Sequence, residues 1–302
     1  MGESGTAEWT QGDDTPRRRE GRQHPQAPGA GTWRPTPTPG SAPGAGPGRA
    51  AARAAGRPAV LHGPARVLHR IGPVVSSKGT RPIAGLLALG AFAYAAWVLE
   101  VVLSTGLNPI ETYVSELAAQ DQPLGGLFRA TDFTAGLLAF AGGLLALVRL
   151  TTYPEARRPW ATVGWAGVTL FGAATAADAW LPLSCKPTVD PVCAARETAG
   201  LVPATHQAHA VSSTLAMCGA LVAVVALTVA ARRYGWWAPL ARTGPLLLAA
   251  ELAATVWTLG AIALFTAGRG TWALGAGQRL QVLLVALWLG LLAYSVHRER
   301  RT

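Results

Sequence analysis

Six apolar runs, each as long as a bilayer's hydrocarbon core is thick, fill most of the chain after residue 82: about 83–104, 129–149, 161–182, 206–230, 243–266 and 274–296. A helix needs about 20 mostly apolar residues to cross a ~30 Å core. No water reaches that core, so the backbone must satisfy its own donors and acceptors, and runs of this length read as helices. The expected fold is all-α: an integral membrane bundle of six transmembrane helices over residues 81–302. Glycines crowd several runs, with Gly136, Gly142 and Gly143 in the second and Gly164, Gly167 and Gly172 in the third. Such positions let helices approach closely.

Residues 1–80 contrast sharply. They hold almost no apolar run and are rich in Pro, Gly, Ala and Arg. A segment of this kind buries too little surface to offset the entropy of ordering it, so a disordered, basic arm is expected. The first apolar run starts some eighty residues in, which is not the pattern of a secretory signal.

The net charge of +10 suggests nucleic acid until its placement is considered. The basic residues sit in the arm and in short loops, without the aromatic interleaving of a nucleic-acid groove. Nucleic acid is not an expected partner; the lipid bilayer is. Twelve of the 26 Lys and Arg precede the first run, and Arg149, Arg157, Arg158, Arg232, Arg233, Arg242, Arg298, Arg300 and Arg301 fall on the same side if the runs alternate. Only Arg129, Lys186, Arg196, Arg269 and Arg279 are left for the other side. The positive-inside rule then puts both termini in the cytoplasm of a protein of the cell membrane. Arg66, Arg70, Lys78 and Arg81 would meet anionic lipid at the inner face.

In the first outer loop, Asn108, Pro109 and Glu111 carry the signature of a helix start. Ile110, Tyr113, Val114 and Leu117 make one apolar stripe at helical spacing, so a short helix on the outer leaflet is expected, with Glu116 and Gln120 off the stripe. Trp180 and Trp272 at the outer ends, and Trp160, Trp236 and Trp237 at the inner ends, suit interfacial anchoring.

Ionisable groups inside spans are costly and call for a reason. Most collect at one depth: Glu100, Asp132 and Asp178 near the outer ends of the first three runs, and His206 and His209 opening the fourth, with Ser212 and Ser213 one turn deeper. His206 and His209 are i and i+3 and share a helical face. Three readings of this cluster stand side by side. Asp132, Asp178, His206 and His209 are suitable ligands for zinc, with a bound water as nucleophile. The same groups could form an interhelical hydrogen-bonded cap that sets helix register, or a pocket for a lipid head group. Glu251 lies alone in the fifth run, either as a hydrogen-bonded structural acid or as a proton-coupling group. Cys185 and Cys193 flank a Pro-rich outer loop on the oxidising side; a disulfide clamping that loop is the reading, against two free thiols. Cys218 reads as a packing residue. No phosphate-binding Gly-rich loop, GxSxG elbow or HExxH is present.

The stretch from Tyr113 to Leu138 (YVSELAA…PLGGLFRATDFTAGLL) resembles the first outer loop and second span of the domain of unknown function 998 family, small bacterial multi-pass membrane proteins. Asp178-Ala179-Trp180-Leu181-Pro182, the Cys-containing loop, and His206-Gln207-Ala208-His209-Ala210-Val211-Ser212-Ser213 resemble that family's acidic segment, outer loop and histidine-led fourth span. The family's usual Phe-Pro before the acid is replaced here by Leu- and Ala-rich sequence, with the Pro after Asp178. The resemblance spans about 83–298 and implies a six-helix membrane bundle without a known activity. A more distant likeness, to membrane hydrolases of the alkaline ceramidase type, implies zinc held between spans by Asp, Ser and several His; only two His lie in this bundle. The function expected is that of an uncharacterised multi-pass protein whose outer Asp/His cluster is structural or binds a lipid head group. The alternative is a metal-dependent membrane hydrolase acting on lipid, in which Ser212 or Ser213 assists a metal-bound water. A third class is a proton-coupled transporter working through Glu251.

Overall fold

The computed structural model describes residues 77–152 and 158–298. The expectations for residues 1–76, Arg157, Arg300 and Arg301 lie outside the described residues. Within them the chain is all helical: α1 (Ser77–Tyr94), α2 (Gly125–Thr152), α3 (Pro159–Asp178), α4 (Pro191–Thr198), α5 (Ala204–Tyr234), α6 (Ala238–Thr266) and α7 (Leu274–Arg298). Two 3-10 helices, Ala96–Val101 and Val114–Ala118, occupy the connection from α1 to α2.

The six apolar runs lie on α1 with its 3-10 extension, α2, α3, α5, α6 and α7. Five of these are long and apolar enough to cross a membrane, which makes this a multi-span membrane protein. The exception is α3. Neighbours in sequence pack as neighbours in space, and α1 closes onto α7, so the six long helices form a ring. Its core runs through Leu87, Val168, Phe171, Leu227, Leu240, Trp288 and Leu292. The seam between α5 and α6 is the sparsest in the ring.

α3 is wedged between α2 and α5 through backbone contact. A methyl added at Gly167 would lie 2.9 Å from the Gly219 carbonyl oxygen, and one at Gly143 would lie 2.8 Å from the Thr169 nitrogen. Some hydroxyls inside the long helices are satisfied locally: Thr169 donates to Trp165 O at 2.9 Å and Thr214 to Ala210 O at 2.6 Å, the back-bonding that lets Thr sit in a helix surrounded by hydrocarbon.

Several expectations are corrected. The Asn108 start makes a turn, in which its Oδ1 accepts from Ile110 N at 2.9 Å, and only Val114–Ala118 is helical, as 3-10. At three residues per turn the α-helical stripe does not hold. Ile110 is left 54% exposed and Glu116 is buried. Helix α4, not anticipated, lies in the connection that holds Cys185 and Cys193; Asp190 caps it by accepting from Val192 N at 2.9 Å, with Pro191 in its first turn, a start signal that the sequence does carry. Trp180 and Trp272 are exposed, as interfacial anchors require, but Trp236 and Trp237 are buried. Trp237 packs edge-on to Trp165 with centroids 6.1 Å apart.

Candidate functional site: an outer chamber and its lateral cleft

At Tyr94 the first long helix tightens into a 3-10 turn. Side chains three apart then eclipse, so Tyr94, Trp97 and Glu100 line up on the inner face. Glu100 is forked by Arg279 of α7: Nε donates to Oε1 at 2.5 Å and Nη2 to Oε2 at 2.7 Å. Arg279 Nη1 also donates to the carbonyls of Thr112 at 2.7 Å and Gly275 at 3.2 Å. Both members of the pair are buried. Gly275 makes room for the first loop, since a methyl there would sit 2.6 Å from the Pro109 oxygen. Glu100 is therefore withdrawn from the polar cluster in which its depth had placed it.

The remaining acids converge one helix further round. Asp178, the last residue of α3, receives the Ser213 hydroxyl on Oδ2 at 2.9 Å and the Ser212 hydroxyl on Oδ1. His209 Nδ1 lies 3.1 Å from Asp178 Oδ1, and its Nε2 lies 3.4 Å from Ser213 Oγ. Ser213 thus donates to the Asp178 carboxylate and lies beside His209 Nε2. Asp132 of α2 lies near Asp178 and His209 and has no hydrogen-bond donor among the described residues.

His206 parts company with His209. Three residues along a helix is a 60° offset, enough to send its Nδ1 to Ser184, whose N donates at 3.1 Å and whose Oγ lies 3.0 Å away. Its Nε2 is 3.6 Å from Glu197 of α4. His206 thus pins the connection between α3 and α5, in which Cys185 and Cys193 are disulfide-linked with Cα atoms 6.0 Å apart. Lys186 pairs with Asp121 at 2.7 Å, Gln120 N donates to Leu183 O at 2.8 Å, and buried Glu116 accepts from Thr188 N at 2.8 Å and from the Thr188 hydroxyl. Burial pushes the Glu116 carboxyl above its ordinary range, against the opposing pull of Thr188 and Lys186.

Among the described residues no three His, Cys, Asp or Glu side chains converge as metal ligands. Asp132, Asp178, His206 and His209 do not fit zinc, because His206 faces the connection between α3 and α5 and Asp178 is engaged by two hydroxyls. Glu251 is buried, and neither of its oxygens has a well-formed hydrogen bond. Its polar neighbour Gln281 donates to Thr255 Oγ1 at 2.8 Å.

Two cavities meet here. An inner chamber of about 160 Å³ is lined by Tyr94, Trp97, Phe128, Asp132, Asp178 and Gln281 among others. A larger cleft of about 890 Å³ opens at the α5–α6 seam, lined by Tyr113, Thr188 and Glu197 and by Leu259, Ile262 and Phe265 of α6. Ser115, His209, Ser213 and Gln278 line both. The aromatic wall of the chamber was not anticipated, nor was the Glu100–Arg279 pair. A signal for the pair was present: both residues sit at the outer ends of their spans, at one depth.

A family model described as protein of unknown function (DUF998) matches residues 86–295, and the chain belongs to that family. No curated protein and no solved structure matches it.

Proposed function

We propose that this DUF998 member spans the cell membrane six times with both termini in the cytoplasm, and that its outer-face cleft takes up a lipid-like amphiphile sideways from the bilayer. The sixth span is α3: its 20 residues extend about 30 Å at 1.5 Å per residue, and it stands in the ring between two spanning neighbours. Impermeant maleimide should modify Thr198→Cys in intact cells, and Arg233→Cys only after permeabilisation, both in a Cys218→Ala background. The opposite pattern would invert the protein and put the cleft at the inner face.

The observation that carries the ligand reading is the mixed lining of the cleft. It combines a phenol, hydroxyls and imidazole with Leu259, Ile262 and Phe265, on a helix with strongly exposed apolar side chains: Leu259 is 61% and Val256 73% exposed. A polar head would rest at His209 and Ser213 with an acyl chain along α6. The bilayer is the reservoir of such molecules at that face, and the sparse α5–α6 seam is the way in. An acyl-photoreactive phospholipid should label peptides covering 206–214 and 259–266 of the reconstituted full chain. Ala210→Trp, at an exposed position lining the cleft, should cut that labelling at least five-fold without unfolding the bundle. Labelling spread evenly over all lipid-facing helices and indifferent to Ala210→Trp defeats the reading.

A further inference from the structure

We infer that the inner chamber recognises an organic ammonium group, and that the amphiphile in the cleft is an amine-bearing lipid; this rests on the lipid reading above and names its head group. Asp132 and Asp178 face one small cavity, and a cation between them would offset the repulsion of two carboxylates in a low-dielectric site. Among the described residues no basic side chain hydrogen-bonds Asp132. Arg129, a basic side chain lining the chamber, spends its Nη1 on the Ala118 and Ala119 carbonyls at 2.7 and 3.2 Å. His209, nine-tenths buried, lies 3.1 Å from Asp178 but makes no aligned hydrogen bond through Nδ1. Asp178 already has two hydroxyl donors, so Asp132, which has none among the described residues, is the acid left to meet a ligand.

The rest of the lining selects the kind of cation. Tyr94, Trp97 and Phe128 present aromatic surface to the same space, which attracts ammonium through the ring quadrupole. A bare metal ion would ask instead for a cage of oxygen or nitrogen ligands, and among the described residues no such group of His, Cys, Asp and Glu exists. The volume of about 160 Å³ is on the scale of the ~150 Å³ cavity that accepts benzene, so an ethanolamine-sized group fits. Ser115, His209, Ser213 and Gln278 form the wall shared with the cleft, which places the head group in the chamber while the chain stays beside α6.

The test is competition against the photoreactive lipid on the full chain in nanodiscs. Phosphatidylethanolamine is expected to compete at least ten-fold better than phosphatidylglycerol of the same acyl chains. Asp132→Asn should erase the preference while total labelling of the cleft remains, and Asp132→Glu should keep it. Equal competition by the two lipids overturns the ammonium site and leaves the lipid cleft standing. If no lipid labels the cleft, the lipid reading fails, and ethanolamine chloride decides the rest: an upward shift of the thermal midpoint in wild type that Asp132→Asn abolishes supports a soluble amine as the source. Absence of that shift, or an equal shift with sodium chloride, overturns it.

Discussion

Arg279→Gln is expected to be among the most destabilising single substitutions in the bundle, by roughly 3–5 kcal/mol, because it strands a buried carboxylate. Glu100 is 7% exposed and its two oxygens are held by Arg279 alone of the charged groups near it. The same guanidinium serves the carbonyls of Thr112 and Gly275, so the loss also loosens the first outer loop from α7. Pairing the substitution with Glu100→Gln should restore much of the stability, since the cost lies in the unpaired charge more than in the missing attraction. Thermal and denaturant unfolding of the two single variants and the double variant in one detergent forms the cycle. Additive losses would show that the pair is not coupled.

The second large effect is expected at Asp178. Asp178→Ala removes the acceptor of Ser212 and Ser213 and the neighbour of His209 Nδ1 in one step. Hydrogen bonds to a charged group contribute about 1.5–3 kcal/mol each, and the network is not additive, so a total of about 3 kcal/mol is the expected scale. Asp178→Asn keeps an acceptor oxygen and should cost less than half of that. Phospholipid labelling of the cleft should fall with Asp178→Ala even at temperatures where the variant is fully folded, because His209 and Ser213 stand on the shared wall. If Ala and Asn variants match wild type in stability, Asp178 is not the hub of the network.

Much of the architecture could be read before any coordinates. A bilayer makes the same demand at every point along a span, so the length and apolarity of a run identify a helix without knowledge of its neighbours. The glycines of α2 and α3 announced close approach for a similar reason, since a missing side chain matters to whichever helix lies alongside. Helix ends were less legible: α2 begins at Gly125 and α6 at Ala238, several residues before the apolar runs, because the first turns extend beyond hydrocarbon and tolerate polar residues. The overwinding of the first span at residues 96–101 carries no Pro or Gly to mark it.

The chain by itself determined that long apolar helices would form and that most of its acids and imidazoles would fall near the ends of those runs. Those follow from transfer of each residue between water and lipid, which is a local energy. Only the tertiary structure decided which groups share a partner. His206 and His209 differ by a 60° offset and end in separate networks; Glu100 finds Arg279 across 179 residues of sequence; Asp132 is left facing a chamber with no donor of its own. Hydrogen bonds act over about 3 Å and depend on angle, so the rotation of each helix within the ring sets them, and no single run of residues encodes that rotation.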